Sequence, residues 1–124
     1  GINSKFKNSN LEKTNMSYSE LENSNFENAN MKHVDLMDVN LKRSNLKYTC
    51  LKGTSLYRAE LEGANLYKAN LESANLSKAN LKYANLFLQM SNPNLKSLMF
   101  LRTLFTKGLS SDALEKKLRL FSSC

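Results

Sequence analysis

The chain has 124 residues, 41% of them hydrophobic, and carries 18 Lys and Arg against 11 Asp and Glu, a formal net charge of +7. That length suits one compact domain, and no apolar run approaches the twenty or so residues of a membrane span. The two cysteines, Cys50 and Cys124, have no framework spacing; they read as free thiols and suit a reducing, cytoplasmic compartment better than a disulfide scaffold.

At the start of the chain, Gly1 to Lys7 is polar and lacks the charged start and apolar stretch of a signal peptide. Gly1 stands where the pattern that follows expects a bulky residue, so it reads as a scar at the edge of an excised fragment, with residues expected upstream. Export within a longer precursor stays open. From Phe6 through Phe26, Leu46 and Leu66 to Leu86, every fifth residue is large and apolar, seventeen in succession. Two places before each stands a small or β-branched residue, from Ser4 and Ser9 through Val34 and Val39 to Ala79 and Ala84. The residue just before the large one is most often Asn, as at Asn10, Asn25, Asn40, Asn65 and Asn85.

A period of five matches neither the two of a strand nor the 3.6 of a helix, so either element would scatter these side chains over all its faces. The chain must turn once per pentad. Large and small residues then point to a common axis, and successive coils stack about 4.8 Å apart, as neighbouring strands do. Phe26, Leu46, Leu66 and Leu86 are core residues in this reading. Gly53 and Gly63 fall two places after a large residue, a slot shared by Asn8, Asn23 and Asn28. Both residue types tolerate the positive φ at the third place of a type II turn, so the corners belong there. Lys, Arg or Tyr in the same slot predicts another turn type at other corners.

Runs such as Ala64-Asn65-Leu66-Tyr67-Lys68, Ala69-Asn70-Leu71-Glu72-Ser73 and Ala79-Asn80-Leu81-Lys82-Tyr83 closely resemble the A-(D/N)-L-x-x consensus of the pentapeptide-repeat family. The resemblance covers residues 4–88, with Ser, Thr and Val replacing Ala at the small position of ten of the first eleven repeats. It implies an all-β solenoid, the family's right-handed quadrilateral β-helix, with four pentads to a coil. The expected organisation is a β-helix over 1–90 and a C-terminal helical tail over 91–124.

With four pentads per coil, residues twenty apart stack into outward ladders. Glu22, Lys42, Glu62 and Lys82 alternate in charge and read as a self-complementary solvated face, each exposed pair contributing about 0 to 1 kcal/mol. A second face carries Lys7, Glu27, Lys47, Tyr67 and Phe87 beside Asn8, Asn28, Tyr48, Lys68 and Leu88. There Tyr48, Tyr67, Phe87 and Leu88 form an apolar strip, to be covered by the chain's own tail, a dimer mate or a foreign partner. A third face brings Met37 and Tyr57 together, flanked by Tyr18, Asp38 and Arg58; it reads either as a stacking site or as ordinary scattered aromatics.

Ser91-Asn92-Pro93-Asn94 breaks the register. Leu95, Leu98, Met99, Arg102 and Phe105 then make one helical stripe, ending at Lys107-Gly108, and Leu114, Leu118 and Phe121 make another behind the capping-box spacing of Asp112 to Glu115. This α-helical tail reads as a cap over the open end of the β-helix, or as the element of a homodimer, as in family members of the quinolone-resistance type.

His33 has no Cys or His neighbour at ligand spacing and reads as a surface residue. No Gly-rich phosphate loop or nucleophile elbow occurs. Glu20 and Glu60, or Glu22 and Glu62, share a face two coils apart, about 10 Å, with no cleft between them. The sequence therefore predicts a non-catalytic module without cofactor or metal that docks a protein partner, either alone or as one domain of a larger, effector-like bacterial protein. The alternative is the DNA-mimicking gyrase binder of the quinolone-resistance members, which needs an acidic surface that this mildly basic array lacks. Nucleic-acid binding is also disfavoured, because Glu is interleaved among the Lys.

Overall fold

The computed structural model describes residues 1–86 and two short strands, β1 Gln89–Met90 and β2 Arg119–Leu120. Over 1–86 the chain winds as a four-cornered β-helical solenoid. Parallel bridges join each residue before a large one to its equivalent twenty places on, from Lys5 with Asn25 to Asn65 with Asn85. Four pentads therefore complete one coil.

The pentad Leu41 to Asn45 shows why this arrangement is stable, because all five of its backbone N–H groups have partners. Leu41, Arg43 and Asn45 donate to neighbouring coils, at the carbonyls of Glu60 (2.8 Å), Glu62 (2.9 Å) and Ser24 (2.9 Å). Ser44 closes the corner by donating to the Leu41 carbonyl at 3.1 Å. Lys42 donates to the side-chain oxygen of Asn40 at 3.1 Å. That last bond explains the recurrent Asn before each large residue: its side chain takes up the one corner N–H that neither the ladder nor the turn uses. Asn30, Asn45, Asn65 and Asn80 do the same for Lys32, Lys47, Tyr67 and Lys82.

The described corners share a positive φ. Every fifth residue from Asn3 to Tyr83 has positive φ, between 54° at Asp38 and 68° at Gly53 and Gly63. This corrects the expectation of a second turn type at Lys, Arg and Tyr corners: Lys13 (61°), Arg43 (56°) and Tyr48 (59°) follow the same path. A side chain in this region costs about 1 to 2 kcal/mol. The repeated ladder and turn bonds hold the backbone there regardless.

Inside the rod the large residues from Leu21 to Leu86 are buried, among them Phe26, Leu46, Leu66 and Leu86 at 0% exposure. Phe6, Leu11 and Met16, in the first coil, are only partly buried. Phe6 stacks on Phe26 with ring centroids 4.8 Å apart. The small positions tolerate buried hydroxyls because each of these finds a carbonyl: Thr49 Oγ1 donates to Leu46 at 2.7 Å, Thr54 Oγ1 to Leu51 at 2.8 Å, Ser44 Oγ to Leu21 at 2.8 Å and Ser24 Oγ to Gly1 at 3.3 Å. Among the described residues no buried side-chain N or O lacks a partner, as an interior this narrow requires.

One expectation is corrected here. Cys50 is buried in the wall and disulfide-bonded rather than a free thiol; the chain's other cysteine is Cys124, outside the described residues. A single bridge leaves no spacing pattern in the sequence. At the tail, Arg119–Leu120 pairs in parallel with Gln89–Met90. The rest of the expected helical tail lies outside the described residues. Among the described residues, no helix is long and apolar enough to cross a membrane.

Candidate interaction surface

Side chains leave the wall at the two corner places after each large residue and at the Asn row between corners. At the corner built on Phe26, Leu46 and Leu66, the predicted aromatic strip forms in part: Tyr48 and Tyr67 meet edge to face with centroids 5.8 Å apart, and Lys68 Nζ lies 5.5 Å from the Tyr67 centroid. Phe87 and Leu88 lie outside the described residues. Lower on this corner, Lys7 Nζ is 3.3 Å from Glu27 Oε1, and Asn28 Nδ2 donates to Asn8 Oδ1 at 3.0 Å.

The diagonally opposite corner carries the second predicted cluster. Arg58 lies 6.0 Å and Lys78 5.8 Å from the Tyr57 centroid. Arg58 Nε is also 2.9 Å from Asp38 Oδ1. Met37 is half-buried on the coil of Asp38, and Tyr18 is exposed one coil further down.

The charge ladder on the Leu21 corner is corrected. Glu22 pairs with Arg43, and Lys42 and Glu62 make no ion pair among the described residues. The longer Arg side chain reaches the carboxylate of the preceding coil, and its stem lies against Gly63 of the following one, where an added Cβ would lie 3.3 Å from Arg43 Cγ. On the remaining corner, Lys52 pairs with Glu72 at 3.8 Å, and the His33 imidazole lies over Gly53, 2.5 Å from where a Cβ would be. No group of His, Cys, Asp and Glu among the described residues could hold a metal ion.

Glu27 is the one described group whose pKa is clearly displaced. The hydrogen bond from Lys7 lowers it below the usual carboxylate range, the bond from Asn45 adds to that, and desolvation opposes both. A carboxyl with a depressed folded-state pKa contributes stability that is present above its unfolded pKa and lost as pH falls through the folded one. Lys7→Ala should therefore raise the Glu27 pKa towards its ordinary value, followed by carboxyl NMR titration. An unchanged titration would mean that Lys7 does not hold this carboxylate in solution.

The charge of the rod is divided along its axis. Residues 1–41 hold four basic and six acidic side chains, whereas residues 42–86 hold eight basic and three acidic. Counting over the whole array conceals this; counting coil by coil reveals it. Several acids of the first half are already engaged: Glu22 by Arg43, Asp38 by Arg58, Glu27 by Lys7 and Glu20 by Asn40.

The family of pentapeptide repeats matches this chain in eight copies, over residues 4–43, 19–56 and 54–87. No curated protein matches it. Among solved structures, a pentapeptide repeat protein of the Arabidopsis thaliana thylakoid lumen is similar at 20% identity and a TM-score of 0.70, over 92% of this chain and 83% of that one. HetL, involved in heterocyst differentiation regulation in Nostoc sp. strain PCC 7120, is 31% identical over 73% of this chain and 43% of HetL, with a TM-score of 0.37. QnrB1, a plasmid-mediated fluoroquinolone resistance protein, is 13% identical over 96% of this chain and 65% of QnrB1, at 0.47.

Proposed function

The chain belongs to the pentapeptide repeat family, and on that premise we propose that it is a non-catalytic module that docks another protein against the corners of its rod. The observation that carries this reading is the pair of aromatic and cationic groups at opposite corners, Tyr48 and Tyr67 with Lys68, and Tyr57 with Arg58 and Lys78. Tyr and Arg are enriched where proteins meet, since they bring large contact area together with a polar handle. The wall beneath them holds its backbone in ladder and turn bonds, so a partner meets a surface that has little ordering entropy left to lose.

A DNA mimic must replace phosphates with carboxylates, and residues 1–86 carry twelve basic side chains against nine acidic. The docking reading is tested by placing the photo-crosslinker p-benzoylphenylalanine at Tyr48, at Tyr57 and, as a control on another corner, at Lys13, in an extract of the organism that makes the protein. Discrete adducts from positions 48 and 57 but not from 13 are expected. Equal labelling at all three, or none, would remove the reading.

A further inference from the structure

The face between the Leu21 corner and the Phe26 corner differs from the other three sides. Its central row is Asn along the rod, with Asn25, Asn45, Asn65 and Asn85 in consecutive coils and in register. One edge row reads Asn23, Arg43, Gly63, Tyr83, and the other reads Lys7, Glu27, Lys47, Tyr67. In the upper coils, then, amide groups run between two cations and two tyrosines. Gly63 adds no side chain of its own to the row between Arg43, whose stem lies against it and whose side chain is 58% exposed, and Tyr83, which is 79% exposed. Asn65 accepts the Tyr67 N–H on its side-chain oxygen at 3.0 Å, and its Nδ2 makes no hydrogen bond among the described residues.

From this arrangement we propose that the face is a docking site for an acidic segment of a partner polypeptide. The inference rests on the docking reading and names the chemistry of the partner. Towards its upper end the face offers chiefly donors, cations and rings: the guanidinium of Arg43, which Glu22 shares, the ammonium of Lys47, the amide of Asn65, and Tyr67 and Tyr83, all in the half of the rod that holds eight basic side chains against three acidic. Carboxylates satisfy the first three, and the aliphatic stems of Glu side chains pack on the rings. Arg43 and Lys47 flank Asn45 within one coil and lie ~13 Å apart along it, about four strand residues. That width suits one extended chain rather than a duplex.

A polynucleotide fits less well. Glu62 and Glu27 stand at the rims and interrupt the cations, which repels evenly spaced phosphates but leaves room for carboxylates placed between them. A second copy of the chain also fits less well, because four of the six acids of its first half are already engaged by Arg43, Lys7, Arg58 and Asn40.

The test is fluorescence anisotropy of the whole protein with a labelled polyglutamate peptide, and separately with a labelled oligo-dT, at low salt. Polyglutamate should bind, and Lys47→Glu and Tyr83→Ala should each weaken it by about tenfold, whereas Lys13→Glu, with the same charge change on another corner, should alter it by less than about twofold. Thermal melts of the variants matching the parent would tie any loss to the surface, and Lys82→Glu beside Tyr83 serves if either variant melts early. The inference is overturned if Lys13→Glu weakens binding as much as Lys47→Glu, if oligo-dT binds more tightly than polyglutamate, if light scattering shows a dimer that Tyr83→Ala or Lys47→Glu dissociates, or if polyglutamate does not bind. Crosslinks at Tyr48 and Tyr57 that persist without polyglutamate binding would sink the acidic partner alone; loss of both would sink the docking module with it.

Discussion

Leu66→Asp is expected to abolish the cooperative melt of the rod. Leu66 is 0% exposed on the axis, its carbonyl closes a corner with Ala69 at 2.9 Å, and its N–H joins the next coil at Asn85, also at 2.9 Å. Removing a buried leucine's apolar volume alone costs about 2 to 5 kcal/mol. Aspartate adds a carboxyl that finds no cation in the interior and must be buried charged or be neutralised. Against a total stability of about 5 to 15 kcal/mol for an ordinary domain, the sum is enough to lose the fold.

The damage should spread, because each coil of a solenoid is supported chiefly by its neighbours. Lys42→Ala is the counterpart: Lys42 makes no ion pair among the described residues, and its backbone N–H keeps the bond to Asn40. It should change stability by no more than about 0.5 kcal/mol. Circular dichroism and thermal melting of both variants read the difference. A Leu66→Asp protein that melts like its parent would place Leu66 outside the core and dismantle the inward assignment of every fifth residue.

The core was legible because period five leaves a single solution for the large residues, and the structure puts Leu21 to Leu86 where that period requires. The corners were legible only at Gly53, Gly63 and the Asn positions, since propensity speaks for residues that favour positive φ and not for Lys13, Tyr18 or Arg43, which are carried into it by their coils. Outward side chains were legible as rows but not as pairs. The register puts Lys42 above Glu22, yet Arg43 takes the carboxylate; side-chain length and the space over Gly63 decide this, and neither appears in a ladder read at intervals of twenty. The Asn row was visible as composition, and its purpose emerged only when the N–H of each corner was accounted for.

Gly53 shows how closely successive coils constrain one another, and its replacement separates two costs that occur together. Gly53→Ala places a methyl at φ +68°, where its carbon would lie 2.5 Å from Nδ1 and 2.6 Å from Cε1 of His33. Both distances are far inside van der Waals contact, so the imidazole must leave its seat against the neighbouring coil. Gly63→Ala has the same φ of +68° but meets only Arg43 Cγ at 3.3 Å, a contact that a flexible stem relieves. The backbone cost common to both is about 1 kcal/mol, and displacing the imidazole should bring Gly53→Ala to about 2 kcal/mol. In a His33→Ala background the second cost has no source, and Gly53→Ala should then fall to the level of Gly63→Ala. That difference is the coupling energy of a double-mutant cycle, measured by denaturant unfolding. Equal effects of the two glycine substitutions with His33 present would show that the imidazole does not lie over Gly53 in solution. A corner of this wall would then be set by its own φ alone, with no contribution from the side chain of the adjoining coil.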